Sequence, residues 1–452
     1  MKVSVVRMVP LVVVLGVLAP QVAASGESDQ RAVTFCKDIA PIMLEQCAAC
    51  HRPGEVAPFP LLSYIDVSKR ADQIRDITQR GLMPPTKSVA GTGPYHQERR
   101  LSPEQLERIE RWAAAGCPEG DPNDLPPLPQ FPEGWQLGEP DLVLQMPQAY
   151  EIPAEGRDVY RNFVLPLEVP AGRYIRAIEF RPSNRRIVHH AVLSVDVRGE
   201  ARRRQAESNE LGFDNGPTIM GRLLPGNVAI WTPGWEPQPL PEPFSVVWPE
   251  DADLIVQLHL SPSGKPESEQ STIGVYLTDQ PPQRTLVDLL LIDTRIDIPP
   301  GEADFRTEDE LVVPVDLELF GLFPHMHLIG REIKVTAYPP GEEPEVLLWI
   351  DDWDFNWQNY YQFVEPRRLK AGTRLKLEGL HDNSADNFRN PYQPPRRVRW
   401  GEQTSDEMSL VFLQGSPLRE SDWPPATSTL KDRLIGVQRA IASEPPTDAG
   451  SE

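Results

Sequence analysis

From Asp141 onward the apolar residues fall into short runs broken by Pro, Gly, Asn and Asp. Examples are Asn162–Leu165, Ile175–Phe180, Ala191–Val195, Leu254–Leu258, Ile273–Tyr276, Glu332–Ala337, Leu375–Leu377 and Ser409–Phe412. Runs of this length and spacing, without intervening helical periodicity, predict strands of a β-sandwich or jelly roll. The stretch is too long for one such unit and predicts two all-β domains, 138–282 and 283–425, with a seam near Pro281-Pro282. The first quarter has another period. Ile39, Ile42 and Met43 have helical spacing, as do Ile74 and Ile77. Ser102-Pro103-Glu104-Gln105 is a capping box with proline at the first helical position. It opens a helix that shows Leu106, Ile109 and Trp112 on one face and stops at Gly116. A small all-α domain is therefore predicted over 31–118.

Between the two patterns lies a proline-rich, acidic segment, 119–137, whose core from Pro118 to Pro132 reads as a semi-rigid extended linker. At the start of the chain, Met1-Lys2 and Arg7 precede the apolar run Pro10–Ala19 and the small residues Val22-Ala23-Ala24. This predicts an export signal, 1–24, cleaved after Ala24, and a periplasmic or extracellular protein with no membrane insertion after cleavage. Residues 426–452 read as a C-terminal tail, and its acidic end from Ser443 as disordered. The net charge of −21 is carried by dispersed acidic residues, which argues against nucleic acid as a partner. Fifty prolines suit many strands and turns better than long helices.

All four cysteines (Cys36, Cys47, Cys50 and Cys117) lie in the first quarter. Cys47-Ala48-Ala49-Cys50-His51 matches covalent haem c attachment, with two thiols for the haem vinyls and the next histidine for the iron. A redox or zinc Cys-x-x-Cys is the alternative, but it would not need the adjacent histidine. The segment with its flanking helices resembles a class I cytochrome c. That resemblance makes Met83, in Gly81-Leu82-Met83-Pro84-Pro85, the distal ligand. Met83 as core filler, with His96 or water on the iron, stays open; His96 itself reads as a surface residue. In such a fold the first and last helices pack together, so the resemblance also implies a Cys36–Cys117 disulfide.

The chain has only eight histidines, and His325-x-His327 places two on one face of a strand, a ligand pair. His189-His190 are adjacent, so sharing a metal requires a strand end or a bulge. His259 stands in an apolar run, and Met408 follows Asp406-Glu407. Each alone has a bland reading as core or hydrogen-bonded strand residue. Their order resembles the copper type II, ascorbate-dependent monooxygenases, the family of peptidylglycine α-hydroxylating monooxygenase and dopamine β-monooxygenase. Gln257-Leu258-His259, His325-x-His327-Leu328-x-Gly330 and Asp406-Glu407-Met408 extend the likeness, which covers roughly Asp141 to Phe412. It implies an electron-transfer copper on His189, His190 and His259. It implies a second copper, where dioxygen reacts, on His325, His327 and Met408.

Where the peptide-oxidising members clamp a substrate carboxylate, this chain carries Phe323, Leu410 and Phe412, so a small uncharged substrate is expected. The family's disulfides are missing beyond Cys117. The expected activity is hydroxylation of a C–H bond with dioxygen, two coppers and one haem c. Electrons would come from a redox protein or an ascorbate-like reductant, with the haem domain acting as a carrier tethered by the linker. The competing readings are a non-enzymatic haem and copper electron-transfer or copper-handling protein, and a cytochrome fused to a binding module. Trp231, Trp235, Trp248 and Trp357 would be stacking residues in the latter and core residues otherwise. His381 reads as a loop residue held by Asx-type turns, with a role at the reaction site as the alternative.

Overall fold

The computed structural model describes residues 31–443 except 56, 97, 133, 215–221, 225–229 and 402. The stretch expected to be an export signal, 1–24, and the acidic end of the tail lie outside the described residues. The chain is mostly antiparallel β-sheet with few helices, consistent with β-sandwich domains. No helix among the described residues is long and apolar enough to cross a membrane.

After the linker, one sheet orders its strands Val159–Pro166, Asp253–Leu260, Val188–Asp196 and Arg222–Leu223, with Ile230–Trp231 also paired to Val188–Asp196. A second sheet orders Leu142–Gln145, Thr272–Thr278 and Tyr174–Arg181. Both contribute to one core that includes Phe163, Leu165, Ile175, Leu193, Leu254, Val256, Leu258 and Ile273. Two-residue alternation then decides the opposite face. With Leu258 and Leu260 in that core, Gln257 and His259 point away from it; with Phe163 inward, Tyr160 and Asn162 point outward.

The next unit repeats the plan. One sheet runs Val287–Ile292, Ser409–Pro417, Leu317–Met326, Tyr361–Leu369, and its partner runs Phe305–Val312, Arg374–His381, Gly330–Tyr338, Glu345–Ile350. Leu317, Leu319, Leu322 and Met326 enter the core, whereas Phe323 and His325 alternate to the other face. Helix Trp423–Ser443 follows, and Arg433 on it forks the Asp309 carboxylate at 2.8 and 3.0 Å. The expected tail is therefore helical over most of its described length, because an apolar and ionic footing on the sheet is available to it.

In the first quarter a continuous helix runs through Phe35–Ile39, Ala40–Ile42 and Met43–Cys47. Tyr64–Ser68, Ala71–Gln79 and Pro103–Ala114 follow, around a core of Phe35, Ile39, Met43, Ile74, Ile109 and Trp112. The capping box forms as expected: Ser102 Oγ accepts from Gln105 N–H at 3.2 Å, and Gln105 Oε1 accepts from Ser102 N–H at 2.8 Å. Two expectations fail here. Cys36 and Cys117 are free thiols. Their segments meet through the backbone instead, Cys36 N–H donating to Glu119 O at 2.9 Å. Nor is this quarter merely tethered. The stretch between its last two helices lies along the second β unit: Val89 N–H donates to Trp349 O (2.7 Å), His96 N–H to Gln362 O (2.8 Å), and Tyr95 Oη to Leu347 O (2.5 Å). Lys87, only 5% exposed at its side chain, pairs with Asp352 at 2.8 Å.

Candidate metal centres

On the His189 strand, Val188 pairs with Leu260 but His190 pairs with His259, so one residue is inserted between them. Val188 and Ala191 both face the core, which the regular period forbids without such a bulge. The extra residue lets His189 and His190 share the outer face, as the sequence demanded of any common metal. His259 joins them from the neighbouring strand. The ligand nitrogens of the three lie within 4.8 Å of one another. Nδ1 of His190 stands 3.2 Å from Nδ1 of His189 and 3.4 Å from Nδ1 of His259. Nitrogens bonded at about 2.0 Å to one ion are separated by roughly this much, so the donor set fits a single metal.

The surroundings set the tautomers. His259 Nε2 donates to Asp158 Oδ2 at 2.9 Å, leaving the Nδ1 lone pair toward the other two rings. His189 Nε2 is buried without a hydrogen-bond partner. Burial, with the His259 ring as second cause, pushes His189 down to about 3; His190 is also held well below the ordinary imidazole value by burial. Neutral imidazoles are the ligand form. Tyr160 stacks on His259, with ring centroids 4.2 Å apart.

His325 and His327 face this group from the second unit. His325 Nδ1 donates to Gln358 Oε1 at 2.5 Å and His327 Nδ1 to Asp406 O at 3.2 Å, so both Nε2 lone pairs remain. Burial lowers both, His325 to about 3. Met326 pairs with Ser409, and the same register carried one step further sets Met408 opposite His327; Leu410 pairs with His325 and Phe412 with Phe323. Met408 itself packs against the apolar cluster of Ile296, Ile298, Ile329, Val398 and Trp400, while the two imidazole nitrogens are donors of a type that suits copper.

Three groups that the sequence reading missed or misplaced complete this end. Glu407, fully buried, accepts from the backbone N–H of both His327 (2.5 Å) and Met408 (2.8 Å). Burial alone would raise its carboxyl, but His381 and His327 hold it below the usual range. His381 is not a loop residue: it ends strand Arg374–His381, fully buried, with Nε2 3.2 Å from Thr307 Oγ1 and Nδ1 3.7 Å from Glu407 Oε2. Phe355 connects the two histidine groups. Its ring stacks on His189 at 4.7 Å and lies 6.0 Å from His327. Nothing local in the sequence marked Phe355 or Gln358, because neither stands in a periodic run.

Thr404 ties the groups together as well. Its hydroxyl donates to Asp158 Oδ2 at 3.1 Å and lies 3.1 Å from Tyr160 Oη. Of the four tryptophans weighed as stacking residues, Trp231 is core, Trp248 donates to Leu167 O at 2.9 Å, and Trp235 and Trp357 are half-buried.

In the helical quarter one turn gathers Cys47, Cys50 and His51, with His51 N–H donating to Cys47 O at 2.9 Å. His51 Nδ1 donates to Phe59 O at 3.1 Å, which frees Nε2 for a metal. Burial pushes the Cys47 thiol up to about 12 and raises Cys50, the opposite of what a redox Cys-x-x-Cys needs. Two thiols on one turn, followed by an imidazole whose Nε2 is free, are the groups that covalent haem attachment uses. Met83 is half-buried just past helix Ala71–Gln79, and His96 is exposed.

No protein-family model matches the chain. DBH-like monooxygenase protein 1 is 29% identical in Gallus gallus and 28% in Homo sapiens, each over 128 residues, which cover 26% of this chain and 19% of the relative. Putative DBH-like monooxygenase protein 2 of Homo sapiens is 27% identical over 192 residues, 37% of this chain and 35% of the relative. The infectious bursal disease virus VP2 subviral particle overlaps 64% of this chain and 74% of its own at 11% identity, with a TM-score of 0.19, on which nothing here rests. The matches span about a fifth to a third of the relatives' length, and over that part the chain is similar to proteins named as monooxygenases.

Proposed function

We propose that the chain is an exported, copper- and dioxygen-dependent monooxygenase that hydroxylates a C–H bond of a small uncharged substrate, with electrons relayed through a haem c. In this reading 31–118 is a class I cytochrome c unit holding haem on Cys47, Cys50 and His51, with Met83 as distal ligand. The units 138–282 and 283–425 hold one copper each, on His189, His190 and His259 and on His325, His327 and Met408. The observation that carries it is the approach of the three Nδ1 atoms at 3.2 and 3.4 Å beside a second histidine pair whose Nδ1 atoms are already engaged. Similarity to DBH-like monooxygenases supports the same reading.

Bound copper would supply one electron at each group and the centre at which dioxygen is reduced. The protein's own part is positional. Asp158 keeps the proton of His259 on Nε2, while Gln358 and the Asp406 carbonyl keep those of His325 and His327 on Nδ1. Glu407 holds the backbone on which His327 and Met408 stand. Phe355 packs its ring against His189 and, edge-on, against His327. Phe323, Leu410 and Phe412 offer a carboxylate no partner, which favours an uncharged substrate.

Protein matured in a periplasm should carry one copper per histidine group and one haem, and should consume dioxygen only with a C–H donor present. His259→Ala should lose copper from its own group and keep the other, read by metal analysis and copper spectra. Full copper with no substrate-coupled oxygen uptake would instead support the electron-transfer reading, which the close packing of Phe355 against both groups favours.

A further inference from the structure

Thr232-Pro233-Gly234-Trp235 is a turn closed by Trp235 N–H to Thr232 O at 3.0 Å, with Pro second and Gly234 third at φ 82°. A β-carbon at Gly234 would stand 3.3 Å from Cys50 Sγ, so the Cys-x-x-Cys-His turn rests directly on this one. Two ion pairs clamp the contact, Arg185 to Glu55 at 2.8 Å and Arg99 to Glu236 at 2.5 Å. A cleft of about 60 Å³ beside it is lined by Arg99, Trp235, Asn359 and Tyr360.

Two short routes leave this turn. Trp231, one residue before Thr232, pairs in the ladder with Ala191, the residue after His190. Thr232 Oγ1 donates to Asn359 Oδ1 at 3.4 Å, and Asn359 adjoins Gln358, whose Oε1 receives the His325 Nδ1 proton. One backbone position beside Cys50 thus leads to both histidine groups.

We propose that the Thr232–Trp235 turn is the fixed port by which an electron passes from the group on Cys47, Cys50 and His51 to each copper, with Gly234 and Asn359 as positioning residues. This rests on the haem and copper assignment above. The balance is one electron: haem iron goes from Fe(II) to Fe(III) as one Cu(II) goes to Cu(I). Glycine is required at 234 on two counts, the left-handed backbone and the absence of a side chain against the sulfur.

The test uses full-length protein loaded with haem and copper. One electron is delivered photochemically to the haem, its reoxidation is followed optically, and loss of each Cu(II) signal is followed by electron paramagnetic resonance. Gly234→Ala should slow reoxidation several-fold with haem content and reduction potential unchanged. Thr232→Val should slow arrival at the His325, His327 and Met408 group while leaving the His189, His190 and His259 group at its native rate. Native rates in both variants would overturn the port, and if Gly234→Ala does not fold, Thr232→Val alone decides. Native protein without covalent haem, by its pyridine haemochrome spectrum, would overturn the underlying assignment instead.

Discussion

Gln358 assigns the proton on His325, although it stands 33 residues away and would touch no metal. With the carboxamide oxygen fixed at 2.5 Å from Nδ1, the ring can neither rotate nor change tautomer without losing a charge-free, buried hydrogen bond. Gln358→Leu should weaken copper at this group by about 10–100-fold and leave the other group unchanged, measured by competition titration. Glu407 acts on backbone instead. Glu407→Ala would leave the N–H groups of His327 and Met408 buried without acceptors, a loss of about 1–3 kcal/mol in chemical denaturation. Glu407→Gln keeps an acceptor oxygen and should lose less.

At the level of elements, the bulge at His189 and the strand end at His381 decide which side chains meet. One inserted residue puts His189 on the same side as His190 without disturbing Leu193 and Val195 in the core. Behind the second group, Gly379 lies opposite Thr307, and a β-carbon there would press on Thr307 Oγ1 and come within 2.8 Å of Ser409 Oγ. Those hydroxyls are bonded to each other at 2.8 Å and cannot both move aside. Gly379→Ala should therefore destabilise by about 1–3 kcal/mol, seen as a lower urea midpoint with an unchanged slope.

For the whole molecule, the helical quarter is part of the assembly, since backbone hydrogen bonds from Val89 and His96 extend it onto the second β unit. Acid stability is also a property of the whole. Burial alone would raise the Asp293 carboxyl, but Arg295 and the N–H groups of Arg295 and Glu308 outweigh it, so its folded pKa lies below the ordinary value. A carboxyl so lowered binds fewer protons folded than unfolded. Its contribution is complete above the unfolded pKa of about 3.9 and is lost as pH falls through the folded value. Asp293→Asn should be less stable than the native chain at neutral pH, and thermal melts should show the gap closing as the pH drops below the unfolded value.

The five candidate histidines, the Cys47–His51 motif, the capped helix at Ser102 and most strands were legible in the sequence, because each follows from spacing or period within a few residues. Even the bulge at His189 was foreseeable, since adjacent residues cannot otherwise share a strand face. Neighbours distant along the chain were not legible. Phe355 between the histidine groups, Gln358 on His325, Glu407 under His327, and Gly234 against Cys50 are pairings across 28 to 184 residues, made by sheets folding over one another. The same reason explains the errors at His381, at Cys36 and Cys117, and in the expected tether. Local pattern determines which element forms and which face turns inward; only packing between elements decides what that face meets.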